Sequence, residues 1–229
     1  MGGFWRRTLL ILIIFFFVNT VAWTAPKAYT IRFTDMPEAD TKITDEAKAP
    51  EVSANKWLLK NGWEQVWPIV LIGKGKPLDF AGPPQNRYLR VAANQSFFIW
   101  GKEVNLDPQE FPVLELVWGV EAFPDGAAMD VYKRNDRAIV VQVLFGDKLP
   151  TSGFPDLPRM LAYFWGETET VGDNYTCGRP REGPDDARIM CTYPHVKYIA
   201  LRSGDEGRVF TDRVNLLEHF REQFPEYWS

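Results

Sequence analysis

The chain has 229 residues, 45% of them hydrophobic and 14% aromatic, with a formal net charge of −4. That is enough apolar material for one sizeable core, which excludes a wholly disordered chain. The mild acidity and the lack of a basic stripe exclude the usual electrostatic footprint of a nucleic-acid binder.

The first 25 residues read as a separate object. Arg6 and Arg7 precede an uninterrupted apolar run, Leu9–Val18, and Thr20-Val21-Ala22 supplies small residues after it. This is the pattern of a secretory signal peptide. The alternative is an uncleaved membrane anchor over residues 8–23, although a spanning helix wants about 20 apolar residues and this run is shorter. The expected address is periplasmic or secreted, with membrane contact only through this segment if it stays attached. Residues 26–52 are polar, acidic and proline-bearing. KAYTIRF is a candidate strand, and the rest of the stretch reads as linker. The globular domain is expected over residues 53–229.

The next element expected is a short helix in SANKWLLKNG, with Ser53 as N-cap and Gly62 as the stop. From there the pattern is β. WEQVWPIVLI, RYLRVAA, SFFIWGKEV, FPVLELVWGVEAF, RAIVVQVLFG, MLAYFWGE, RIMCTY and HVKYIALRSG are apolar runs separated by Pro, Gly, Asp and Asn turn signals. In the fourth run, period-two alternation puts Val113, Glu115 and Val117 on one face and Leu114, Leu116 and Trp118 on the other. RAIVVQVLFG, apolar on both faces except at Gln142, is expected to be a central strand. A second helix is expected in DRVNLLEHFREQF, where apolar residues fall on one helical face. The fold class is therefore all-β: an antiparallel β-sandwich with one or two short helices.

Cys177 and Cys191 are the two cysteines, and both lie in the part expected to be exported. In an oxidising compartment such a pair forms a disulfide, which for a loop of this size stabilises by about 3 kcal/mol in the chain-entropy picture. With only His195 nearby, the donors are too few for zinc, so no metal and no cofactor is called for. His219, within the second helix, reads as a surface residue.

Two sets of residues carry candidate chemistry. Glu115 and Asp136 are strand-borne carboxylates, the pair type that runs glycoside hydrolysis across a concave sheet. Buried in its strand, Glu115 would need a partner or a raised pKa, and Asp136 with Arg137 at the entry to the next strand could supply that partner. The plainer reading, a solvated sheet face or a structural ion pair, fits Glu115 better. The second set is aromatic. Nine tryptophans is a high count, and Trp100, Trp118, Tyr163 and Trp165 lie on or near expected strands. Tyr163 and Trp165, exposed beside Gln142 and Arg137, would stack on sugar rings while the polar pair supplies hydrogen bonds. The competing reading packs them in the core. The functional expectation is a non-enzymatic module binding a glycan or another envelope ligand. The alternatives are a carbohydrate-active enzyme and a structural or protein-interaction domain.

Residues 100–224 also resemble a known family. The phrases VNLDPQEFPVLELVWGVEAFPDGA, NDRAIVVQVLFGD, LAYFWGETETVG and VKYIALRSG, in that order, resemble the bacterial exported family catalogued as domain of unknown function 3047. The resemblance implies a galactose-binding-like jelly roll and export, and no catalytic residue. It also implies a further apolar strand, a turn and a final strand after the second helix. This chain stops at FPEYWS, so Phe224, Tyr227 and Trp228 are expected to pack where such a return would begin.

Overall fold

The computed structural model describes residues 27–33, 49–65, 78–83, 86–91, 99–129, 131, 134, 136–150, 156–175 and 195–227. Cys177, Cys191, Trp228 and the whole N-terminal apolar run lie outside the described residues, so the disulfide and the signal segment do too. Helix α1 (Ala49–Lys60) leads into ten strands: β1 (Glu64–Gln65), β2 (Leu78–Ala81), β3 (Tyr88–Val91), β4 (Trp100–Gly101), β5 (Val113–Gly119), β6 (Ile139–Leu149), β7 (Leu157–Gly166), β8 (Asn174–Tyr175), β9 (Val196–Ser203) and β10 (Val209–Asn215). Helix α2 (Leu216–Gln223) and one 3-10 turn (Pro225–Tyr227) follow. This is the mostly β architecture with two short helices that the alternating pattern implied.

The main sheet has the order β6-β7-β9-β8. Its spine is β7, where Leu161, Ala162, Tyr163, Phe164 and Trp165 are all fully buried. A strand buried on both faces loses the apolar-polar alternation and reads as a continuous hydrophobic run. Successive β7 side chains serve two cores. Met160, Ala162 and Phe164 pack with Val196, Tyr198, Ala200 and Met129 on one face. Leu161 and Tyr163 pack on the other face with Ile199, Val214, Leu216 and Phe224. A second layer, the antiparallel β5–β10 ladder, covers that second face with Leu114, Leu116, Trp118, Phe210 and Val214. Val113 and Val117 point outward, 48% and 70% exposed, as the alternation required.

In the two main layers, three expectations change. RAIVVQVLFG forms β6, which is an outer strand of its sheet among the described residues and only half-buried, while β7 and β9 are central. Its β-branched residues signalled strand propensity, whereas burial went to the run with the larger aromatics. Second, β7 and β9 run parallel, so among the described strands every pair but this one is antiparallel. Their long connection makes the crossover possible. Third, DRVNLLEHFREQF is not one helix: its first four residues belong to β10, and α2 starts only after Asn215. The Asn215 side chain accepts hydrogen bonds from the backbone N–H groups of Leu217 and Glu218, an N-cap that ends the strand and starts the helix at one residue. Phe220 and Phe224 then reach the core from α2, Phe224 being 1% exposed. Tyr227 stays nearly half exposed, with the Arg159 guanidinium 3.2 Å from its ring centre.

The end of β7 is fixed by a buried acid. Glu169 accepts a hydrogen bond from Met129 N at 2.6 Å through one carboxylate oxygen and from Thr168 N at 3.1 Å through the other. This ties the loop after β5 to the turn after β7. The carboxylate can sit there because Gly166 has no side chain; a Cβ on Gly166 would overlap it. Gly166→Ala should therefore destabilise the domain by about 1–3 kcal/mol, the range for overpacking. Chemical denaturation would measure it, and an unchanged midpoint would show that Glu169 can swing away freely.

A smaller core lies around α1 and the β2–β3 hairpin. Ala54, Leu58 and Leu78 are its buried centre, with Phe33, Trp57, Trp63, Phe80, Leu89 and Trp100 around them. Helix α1 starts before Ser53, at Ala49, so Ser53 is inside the helix rather than its cap. Its expected stop holds: Gly62 takes a positive φ of 76°, Gly62 N bonds Leu59 O and Trp63 N bonds Leu58 O. This 5→2 and 6→1 pair is a Schellman ending, and it folds the chain back so that Trp63 lies over the last turn of α1. Residues 27–33 form no strand. Phe33 anchors them, its ring 5.7 Å from Trp57 and 5.8 Å from Phe80.

Candidate functional site

The residues proposed from sequence are not brought together. Glu115 lies on the outward face of β5, and its carboxylate meets Arg213 across the ladder at 3.3 Å, with both side chains more than half exposed. The ionic partner is thus Arg213 and not Arg137. Asp136 is exposed ahead of β6. The Arg137 guanidinium lies 4.4 Å from the Tyr198 ring centre, a cation–π contact on the face opposite the β5–β10 layer. Gln142 pairs with Ala162 and shares that face.

Tyr163 and Trp165 are core residues. Both are fully buried on the face under β5–β10, so neither offers a ring to a ligand. The Tyr163 hydroxyl is within 3.1 Å of His219 Nδ1, which makes His219 a half-buried anchor of α2 rather than a surface residue. Burial pushes the Tyr163 phenol up, well above its ordinary value. Trp165 packs at 5.7 Å from Trp118 and 5.5 Å from Phe210, and its indole N–H donates to Gly204 O at 2.6 Å.

A polar group sits against these rings. The register of β7 with β9 slips between Phe164 and Trp165, so that Trp165 lies opposite Arg202 instead of Leu201. The irregularity re-aims Arg202 toward β10, as bulges do. Its guanidinium grips Asp212 with two hydrogen bonds of 2.7 Å, and Trp118 Nε1 donates a third to the same carboxylate at 2.7 Å. Burial raises the Asp212 carboxyl, but the hydrogen bonds from Arg202 and Trp118 and the Arg202 charge together hold it below the usual range. Phe210 lies under the guanidinium at 3.7 Å. Every partner here is internal, so the group locks β5, β9 and β10 together.

Unused aromatic and polar groups converge elsewhere. A cleft of about 270 Å³ lies between residues 29–32 and the end of α1, lined by Tyr29, Thr30, Ile31, Arg32, Trp57, Asn61, Trp63 and Lys102. Each wall has a local cause. Phe33 pins the 27–33 segment, and Trp57 is held edge-on by Phe80 at 5.5 Å and 79°. The Schellman turn delivers Trp63. Pairing of β1 with β4 places Gly101, and so Lys102, beside residues 63–65. Lys102 Nζ donates to Asn61 O at 2.8 Å, and Asn61 Nδ2 donates to Trp57 O at 2.8 Å. Two tryptophans and a tyrosine therefore line the same cleft as an arginine, a lysine and an asparagine.

Residues 76–228 match the model of a family described as a protein of unknown function, DUF3047. The chain belongs to this family. No curated protein and no solved structure matches it. The DUF3047 match covers the whole β5–β10 sandwich and includes Lys102, whereas Tyr29, Arg32, Trp57, Asn61 and Trp63 precede it. Among the described residues no cluster of three or more His, Cys, Asp or Glu side chains is placed to hold a metal ion. The sequence held one usable sign of the cleft: Gly62 between Trp57 and Trp63 marks a helix stop that folds two tryptophans together. Nothing local pointed to Tyr29 or Arg32, which join them only through the packing of Phe33.

Proposed function

We propose that this DUF3047 protein is an exported, non-enzymatic module that binds a glycan in the cleft between residues 29–32 and α1. One observation carries the reading: Tyr29, Trp57 and Trp63 converge on a single cavity with Arg32, Asn61 and Lys102. Sugar sites need flat apolar surface for the ring faces and a few fixed polar groups for the hydroxyls. Here the two tryptophans are set by the end of α1 and the amide is oriented by its bond to Trp57 O, so much of the site is pre-formed. Arg6, Arg7 and the apolar run Leu9–Val18 support delivery to the cell envelope, where such ligands occur.

The test is a glycan array with the mature protein, followed by tryptophan-fluorescence titration of the best ligand. Tyr29 is 45% exposed and not part of a core cluster, so Tyr29→Ala should leave folding intact and weaken binding by roughly tenfold, about 1.4 kcal/mol of stacking. Trp63→Ala should weaken it further. No binding to any glycan, or binding unchanged in Tyr29→Ala, would overturn the assignment.

A further inference from the structure

We infer that the ligand of this cleft carries a carboxylate, and that the site selects uronate-type acidic sugars over neutral ones. The inference rests on the glycan reading above and adds to it the charge of the ligand. The protein as a whole is acidic, with 30 Asp and Glu against 26 Lys and Arg. Among the described residues the cleft reverses that sign: its charged lining residues are Arg32 and Lys102.

Two nearby cations are already paired. Lys27 bonds Glu110 at 2.9 Å, and Arg90 forks onto Asp79 with bonds of 3.0 and 2.6 Å. Arg32 and Lys102 meet no carboxylate among the described residues. Lys102 is nonetheless positioned. One of the three donors of its ammonium is spent on Asn61 O, which fixes the head group at the cleft wall and leaves two donors. Arg32 brings a planar fork that matches a carboxylate bidentately, with directional bonds stronger than neutral ones. A guanidinium and an oriented ammonium beside three aromatic rings form a site for a sugar ring with an anionic substituent. A neutral sugar would use the two cations only as donors to its hydroxyls, without the charge pairing.

Oligogalacturonate and its carboxyl-reduced counterpart, which share linkage and length, are the discriminating probes. Titrated at low and high salt by tryptophan fluorescence or calorimetry, the acidic oligomer should bind at least tenfold tighter than the reduced one at low salt. Added salt should erode that margin, since partly exposed charges are screened. Arg32→Gln should remove most of the margin, weakening the acidic oligomer by a much larger factor than the reduced one. Lys102→Gln should do the same. Lys27→Gln, outside the cleft lining, should change neither affinity. Equal binding of the two oligomers, or an acid preference that survives Arg32→Gln and Lys102→Gln, would overturn the charge selection while the glycan reading stands. Failure of both oligomers and of every glycan on the array would overturn the glycan reading itself.

Discussion

Trp165→Ala should cost about 3–5 kcal/mol of stability, the range for removing a large buried aromatic. Trp165 is fully buried at the point where the two layers meet. Its ring touches Trp118 from β5 and Phe210 from β10 at 5.7 and 5.5 Å. Alanine would leave a void between layers that cannot close without moving the β5–β10 ladder. The loss has a polar part as well, because Gly204 O would lose the indole N–H at 2.6 Å. A second variant separates the two parts. Trp165→Phe keeps most of the ring contact and removes the donor, so it should cost about 1 kcal/mol, the net worth of one hydrogen bond to a partly buried acceptor. Urea denaturation of both variants checks this. A cost below about 1 kcal/mol for alanine would mean that the site collapses easily and that the layers are held by something else.

How much of this was legible in the sequence follows from what each signal measures. The strand-by-strand outline was legible because alternation and turn residues are local. The inward set Leu114, Leu116 and Trp118 and the outward set Val113, Glu115 and Val117 follow from period two alone. Strand order was not legible. Val140, Val141 and Val143 announce a strand through β-branching, but whether it lies at the centre or edge depends on what packs beside it, and the fully buried run in β7 took the centre. The β10–α2 boundary was lost because Val214, Leu216, Phe220 and Phe224 fit a helical face as well as they fit a strand followed by a helix. Asn215, an N-cap residue type in the middle of that pattern, was the sign that could have divided it. For the site, counting aromatics led to rings that the fold buries. Tyr163 and Trp165 sit in the densest apolar run, where burial is the rule. Trp57 and Trp63 sit beside a polar helix end, where rings stay partly open. The cations Arg32 and Lys102, 70 residues apart in the chain, meet only through the Phe33 anchor and the β1–β4 pairing.

Arg202→Ala should reverse the pH dependence that Asp212 contributes to folding. In the unmodified protein the folded Asp212 carboxyl lies below its ordinary value, because the Arg202 and Trp118 hydrogen bonds outweigh burial. A carboxyl lowered on folding adds stability that is complete above the unfolded value of about 3.9 and disappears as pH falls through the folded value. Removing Arg202 takes away two of the three hydrogen bonds and the nearby charge. Burial, the largest single influence on this group, then dominates and raises the carboxyl above the unfolded value. The sign changes with it: the contribution of Asp212 becomes most favourable in acid and is lost as pH rises. At neutral pH the substitution should cost about 2–3 kcal/mol. That is below the 3–5 kcal/mol of a wholly buried pair, because the Arg202 and Asp212 side chains retain 25% and 16% exposure. Asp212→Asn should cost less than Arg202→Ala, since the amide oxygen still accepts from Trp118 and the guanidinium still rests on Phe210. A double-mutant cycle of Arg202→Ala with Asp212→Asn, followed by urea denaturation from pH 7 down to pH 3, reads the coupling directly. It should be near 2 kcal/mol at pH 7 and fade toward zero in acid as the carboxylate is protonated. A coupling that stays constant over that range would show that Asp212 does not titrate there, and that the three hydrogen bonds act through geometry and not through charge.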